Sequence, residues 1–202
     1  MTNTGKIELM APAGNFESLQ AAIDNGADSV YFGVDQLNMR ARASINFTID
    51  DLDEIARRCA PKGIRTYLTL NTIIYDHDLS IIKTLLDAAK KAGLTAVIAM
   101  DQAVIAYARQ IGMEVHISTQ INITNIETVR FYAMFADTMV MSRELSLRQI
   151  KKICEQIEKE QIKGPSGNLV EIEIFGHGAL CMAVSGKCYL SLHSHNSSAN
   201  RG

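Results

Sequence analysis

The sequence predicts a parallel α/β fold of the TIM-barrel-like (β/α) type, on three observations. Short β-branched or aromatic runs alternate along the chain with stretches of helical apolar spacing, the pattern of repeated βα units. Each connection is a helix or a crossover long enough to reverse direction, so successive strands run parallel. Gly26-Ala-Asp-Ser-Val30, Gly93-Leu-Thr-Ala-Val97 and Ala136-Asp-Thr-Met-Val140 form a weak repeat at the strand entrances. That repeat favours a barrel of equivalent units over the alternative, an open doubly wound sheet.

The elements follow in order. Ile7–Met10 reads as strand one, and Asn15 as the N-cap of a helix that ends at Asn25-Gly26. Ser29–Val34 is strand two. A polar connection carrying Arg40, Arg42 and Asn46 leads to Thr48, the N-cap of a helix reaching Pro61-Lys62-Gly63. Ile64–Leu70 is strand three, and a helix over Ile81–Lys91 is closed by Gly93. Strand four is Ala96–Met100, followed by a helix over Ala103–Gln110 that ends at Gly112. Glu114–Thr119 is strand five, Asn125–Phe135 a helix and Thr138–Met141 strand six. The charged segment Leu147–Lys163 reads as a long helix, broken by Gly164-Pro165-Ser166-Gly167 before strand seven at Val170–Phe175.

Composition bounds the function classes. With 202 residues, 47% of them hydrophobic and 21% charged, and with 13 Gly and 3 Pro, the chain has ample material for a core; disorder, collagen and disulfide scaffolds are excluded. Twenty Lys plus Arg against 22 Asp plus Glu leave a net charge of −2, so no global basic field holds a polyanion. No DNA partner is expected, and any RNA contact must be local. The first ten residues lack the apolar stretch of a secretory signal, and no apolar run approaches the ~18 residues that cross a bilayer. A cytoplasmic location without a membrane partner is the expectation. A full eight-stranded barrel takes about 250 residues, so residues 1–202 read as a single catalytic domain of barrel type, incomplete at its C-terminal end.

In such folds chemistry gathers beyond the C-terminal ends of the strands. The polar residues there include Tyr31 and Gly33, Thr69 and Asn71, Asp101, Ser118 to Gln120, Arg143 and His177. Glu8 lies within an apolar run where a carboxylate needs a partner, for which Arg143 is the candidate. His116 alternates with Val115 and Ile117 and so faces away from them; a lone strand histidine is more commonly a satisfied core residue than a ligand. The expected pocket residues are Glu8, Asn71, His116, Gln120, Arg143 and His177. Cys59 and Cys154 fall on helices and read as buried hydrophobes. Cys181 and Cys188 bracket a glycine-containing bend after strand seven and can reach one metal or cluster, although their seven-residue separation is wider than the usual spacing of a structural zinc pair. The nucleophile-elbow, zincin and phosphate-loop motifs are absent.

The segment Glu173-Ile-Phe-Gly-His-Gly-Ala-Leu-Cys181-Met-Ala-Val-Ser-Gly-Lys-Cys188-Tyr-Leu-Ser191, with Ser-Ala-Asn-Arg-Gly202 after it, resembles the signature of peptidase family U32, the collagenase-like proteases. Glu8-Leu-Met-Ala-Pro-Ala-Gly14, Thr69-Leu-Asn-Thr-Ile73, Ser118-Thr-Gln120 and Ser142-Arg-Glu-Leu145 resemble that family's strand-end blocks. The resemblance implies a TIM-barrel-like catalytic domain. Within the family the chain looks closest to the branch needed for hydroxylation of a ribosomal or transfer RNA base, where prephenate is implicated. Members that serve oxygen-independent ubiquinone hydroxylation carry a four-iron cluster on four cysteines. By resemblance, Cys181 and Cys188 match the first two ligands of such an iron–sulfur cluster, and the remaining ligands lie outside this chain. The leading expectation is therefore an RNA-modifying hydroxylase; a peptidase acting on peptide substrates and a non-catalytic barrel-mouth binding protein are the alternatives.

Overall fold

Among the residues described by the computed structural model (7–34, 47–178, 181–185, 187 and 193), seven strands pair side by side in chain order. They are β1 (Met10–Pro12), β2 (Ser29–Phe32), β3 (Arg65–Leu70), β4 (Ala96–Ala99), β5 (Glu114–Ile117), β6 (Thr138–Val140) and β7 (Glu171–Glu173). Every pairing is parallel. A doubly wound sheet would reverse its strand order at a switch point; the uninterrupted order is that of a barrel. The connecting helices are α1 (Phe16–Asp24), α2 (Leu52–Cys59), α3 (Leu79–Ala92), α4 (Gln102–Gln110), α5 (Ile126–Ala133) and α6 (Leu147–Glu160). The connection holding Arg40, Arg42 and Asn46 lies outside the described residues.

Helix starts follow local chemistry. Asn15 Oδ1 accepts from Ser18 N at 2.8 Å while Ser18 Oγ accepts from Asn15 N at 3.1 Å, a reciprocal cap for α1. Asp101, Asn125 and Ser146 cap α4, α5 and α6 in the same way, each side-chain oxygen taking an otherwise unpaired backbone N–H. The helix ends repeat as well. Gly63 and Gly93 turn left-handed at φ 68° and 79°, and the next residues, Ile64 and Leu94, send their N–H back to Cys59 O and Ala89 O while burying their side chains. In the Gly93-Leu94 copy, the weak repeat in the sequence is this device: it stops a helix and aims an apolar residue inward just before the next strand.

The strand pleat then sorts side chains into two layers. Val30, Phe32, Leu68, Leu70, Val97, Val115, Ile117 and Met139 join the helix side chains in one continuous core. Tyr67, Ala96 and Ile98, with Met10 and Tyr31 against them, form a separate cluster on the opposite, interior face.

Among the boundaries that differ from the sequence expectation, three have a clear physical reason or consequence. Strand one is Met10–Pro12 rather than Ile7–Met10, with Ile7 89% and Leu9 59% exposed. The alternating apolar residues precede the ladder, which starts where Met10 meets Ser29 and runs on into Pro12, a residue an edge position tolerates. Glu8 thus precedes the sheet instead of lying within a strand. The last long helix stops at Glu160, because Gln161 adopts a left-handed conformation (φ 53°) and Ile162 turns inward. Strand seven is shorter than expected, pairing over Glu171–Glu173 only.

Gly164 packs against the Asp137 backbone, and a Cβ there would stand 2.8 Å from Asp137 Cα. Gly164→Ala is expected to destabilise the protein by about 1–3 kcal/mol through this overlap, read as a lowered urea midpoint; an unchanged midpoint would show that the 162–170 turn gives way freely.

Candidate functional site at the barrel mouth

Interior positions form levels. In a closed barrel the strands tilt and step by about one residue per strand, so interior side chains that meet come from alternate strands, offset by two positions. Tyr67 is in register with Ala96 and Glu114, yet its ring packs on His116, two residues further along β5, with centroids 4.5 Å apart. The same step leads from His116, in register with Thr138 and Glu171, to Glu173 on β7. Tyr67, His116 and Glu173 therefore share the middle level.

Below them, at the amino-terminal end of the barrel, the Glu8 carboxylate is ion-paired with Arg65 and accepts the Tyr67 hydroxyl at 2.8 Å. The partner of Glu8 is thus Arg65 and not Arg143. Both expectations for Glu8, a partner in Arg143 and a place in the pocket, fail because the register puts residue 8 before the first paired residue. Burial raises the Tyr67 phenol to about 12 against a partial counter-effect of Arg65, so the hydroxyl stays a donor. His116 Nε2 lies 3.0 Å from Glu114 Oε1. This hydrogen bond leads the influences that hold the Glu114 carboxyl below its ordinary value, outweighing partial burial.

Above the middle level opens a cavity of about 190 Å³ at the carboxy-terminal strand ends. Pro12 to Gly14 follow β1 and Tyr31 and Gly33 come from β2. Thr69 and Asn71 come from β3, Ile98 from β4 and Ser118 to Gln120 from the end of β5, with Val140, Glu173 and Phe175 closing the ring. Thr69 Oγ1 donates to Phe32 O at 3.0 Å, and Ser118 Oγ donates to Gln120 Oε1. Their protons are engaged by amide and carbonyl oxygens, which lack the basicity to turn a hydroxyl into a nucleophile.

Of the sequence candidates, Asn71 and Gln120 line this cavity. His116 is buried one level beneath it, and Glu8 sits at the far end. Arg143 and His177 are exposed and outside the lining; Arg143 instead reaches out to Ala183 O at 3.1 Å. The convergence expected of Glu8, Asn71, Gln120, Arg143 and His177 at one mouth does not occur. Arg143 and His177 are displaced because residues past a strand end can turn outward, Glu8 because it precedes the first strand, and His116 lies within its strand. Glu173, Tyr67, Arg65 and Glu114 were missed. Alternation in Glu171-Ile-Glu-Ile-Phe175 and Arg65-Thr-Tyr67 was the available signal, since it puts polar residues on the face opposite the helices.

Beside the mouth, Cys181 is exposed, and the Arg143 guanidinium hydrogen bond lowers its thiol pKa. Burial pushes the Cys59 and Cys154 thiols up. Cys59 ends α2, the end opposite the mouth. Cys188 lies outside the described residues. Glu144 holds the 181–185 segment by accepting from Ser185 N at 2.8 Å and Ser185 Oγ at 3.1 Å, and from Ser142 Oγ. Burial opposes its charge, but these hydrogen bonds prevail and keep its pKa at about 2. Among the described residues no helix is long and apolar enough to cross a membrane.

The family model for peptidase family U32 matches residues 14–202, almost the whole chain. The chain belongs to peptidase family U32. It is 58% identical to a collagenase of Porphyromonas gingivalis over 99% of its length and 48% of the relative's. It is 34% identical to tRNA hydroxylation protein P1 of Bacillus subtilis, covering 98% and 45% of the two chains. To a 23S rRNA 5-hydroxycytidine synthase of Escherichia coli it is 33% identical, covering 98% and 28%. The chain spans about half the length, or less, of these curated relatives. Among solved structures, the U32 peptidase Mk0906 superposes with a TM-score of 0.59 at 12% identity over 89% of this chain and 96% of that one, which bears out the barrel fold.

Two outcomes test the electrostatics around the mouth. Cys181 should be alkylated by iodoacetamide ahead of Cys59 and Cys154 at neutral pH, and Arg143→Gln should slow it several-fold in peptide mapping; equal rates would refute the guanidinium effect. The folded-state pKa of Glu144 lies below the ordinary 4.5, so its hold on Ser185 is complete above that value and is lost as pH falls toward about 2. Amide exchange at Ser185, corrected for intrinsic rate, should lose protection over that interval in the native protein and lack the transition in Glu144→Gln.

Proposed function

We propose that this U32 domain is the substrate-binding barrel of an RNA-modifying enzyme that hydroxylates a single base, and that the mouth cavity receives that base. The observation that carries this reading is the lining. The lining carries the amide side chains of Asn71 and Gln120, and Tyr31 and Phe175 supply aromatic faces. A flipped or unpaired base is held by this combination of edge hydrogen bonds and stacking. At about 190 Å³ the cavity is smaller than the ~300–1,000 Å³ of drug-sized sites, which suits one ring rather than a run of residues. The named activities of the tRNA and 23S rRNA relatives support it.

An iron–sulfur cluster belongs to the proposal. Cys181 suits a thiolate ligand, being exposed, near the mouth and lowered in pKa, and Cys188 would be the second. Cys59 and Cys154, with raised pKa values and positions on α2 and α6, do not suit the remaining places. Such a cluster would supply electron-transfer or oxygen-activating chemistry beside the cavity. The residues of the barrel itself would orient the base and exclude water.

A second reading, peptide-bond hydrolysis, is favoured by the collagenase name of the 58% identical relative. The full-length protein separates the two. Mass spectrometry of nucleosides from tRNA and rRNA should show a hydroxylated base that disappears when the gene is deleted, while the purified protein leaves gelatin intact. Cleavage of gelatin with an unchanged nucleoside profile would assign the peptidase reading instead. Asn71→Ala and Gln120→Ala should each lower the hydroxylated nucleoside roughly ten- to hundredfold, the worth of one buried hydrogen bond at about 1–3 kcal/mol.

A further inference from the structure

Glu173 is the one carboxyl among the described residues that line the cavity. Its Oε2 is buried and has no hydrogen-bond partner, and the same holds for Nδ1 of His116, a residue only 2% exposed. The two side chains share the middle level of the interior, close enough for the imidazole charge to act on the carboxyl. Two unpartnered polar atoms, buried at one level beneath an open cavity, carry hydrogen-bonding capacity that the surrounding protein leaves unused.

We propose that Glu173 is the acid–base group of the mouth cavity and that His116, on the same interior level, is the positioning residue that acts on its charge. The proposal rests on the mouth cavity being the reaction site, whichever reaction occurs there. Glu173 Oε2–H gives its proton to an acceptor atom of the bound substrate. The O–H bond breaks as the new bond to hydrogen forms, and the carboxylate is left at the level of the His116 ring, which Glu114 holds through Nε2. Only a proton moves, and solvent reaching the cavity replaces it on Glu173.

The surroundings agree with this role. Burial raises the Glu173 carboxyl above its ordinary value, with His116 pulling the other way, so its protonated form persists to higher pH than that of an exposed glutamate. The other titratable or charged groups facing the pair are Tyr31 on β2, Arg65 and Tyr67 on β3, Glu114 on β5 and Glu8 ahead of β1. Arg65 and Glu8 neutralise one another, and Tyr67 donates to Glu8. That arrangement leaves Glu114 to orient the ring from below.

The test uses the full-length protein, with ¹³C-labelled glutamate and ¹⁵N-labelled histidine followed by NMR across pH without substrate. The carboxyl assigned by its loss in Glu173→Gln should titrate above the ordinary range, and His116→Gln should move its midpoint up by about one pH unit, the effect of removing a nearby cation. Curves of Glu173 and His116 that are each unmoved by substitution of the other would overturn the proposal. Because this measurement needs no turnover, it is decided separately from the RNA reading. In whichever activity the full-length protein shows, base hydroxylation or gelatin cleavage, Glu173→Gln should lower kcat by about a hundredfold or more. His116→Gln should instead shift the pH profile. Full kcat in Glu173→Gln would overturn the proposal even with coupled titrations. Should Glu173→Gln fail to fold, Glu173→Asp keeps the carboxyl one methylene further back; it should retain the coupled titration and lose turnover.

Discussion

The two-residue period of the strands is the constraint on which this molecule depends. Each strand is covered by helices on one side and closed against other strands on the other, so neighbouring residues on it meet opposite environments. Val115 and Ile117 enter the helix-covered core, and His116 between them enters the barrel. A slip of one position would exchange the two faces of a strand. Helix ends such as those at Gly63 and Gly93 guard against such a slip: the left-handed turn and the inward apolar residue after it set the phase before the strand begins.

The interior created in this way is unusually rich in ionisable groups. An unpaired charge there is costly, so the groups meet it with partners: Arg65 with Glu8, Tyr67 with Glu8 and Glu114 with His116. Satisfaction fades toward the mouth. At the middle level His116 and Glu173 each keep an unpartnered atom, and above them the cavity is lined by neutral amides, hydroxyls and aromatic rings. The ion pairs gather toward one end of the sheet, and the unpartnered atoms lie nearer the cavity.

Family membership narrows the chemistry without choosing it. Relatives bearing the names of a collagenase and of RNA hydroxylation proteins align over nearly all of this chain, so one barrel is compatible with both names. What separates them must reside in details of the mouth and in the parts of those longer proteins beyond the aligned half. The lining of the cavity and the electropositive setting of Cys181 beside Arg143 are the local features that favour the redox and nucleobase side.

The order of elements, the N-cap at Asn15 and the glycine stops at Gly63, Gly93 and Gly112 were legible in the sequence, because each depends on contacts within a few residues. So was the presence of Asn71 and Gln120 at the mouth, since both closely follow a strand. The start of strand one was not, because its ladder is defined by Ser29 to Tyr31 on the neighbouring strand and not by its own apolar run. Nor were the partners of Glu8, 57 and 59 residues away at Arg65 and Tyr67, or the meeting of Glu173 with His116. Local patterning tells which face a residue takes; the tilt and stagger of the closed sheet decide which residues share a level, and that is a property of all the strands together.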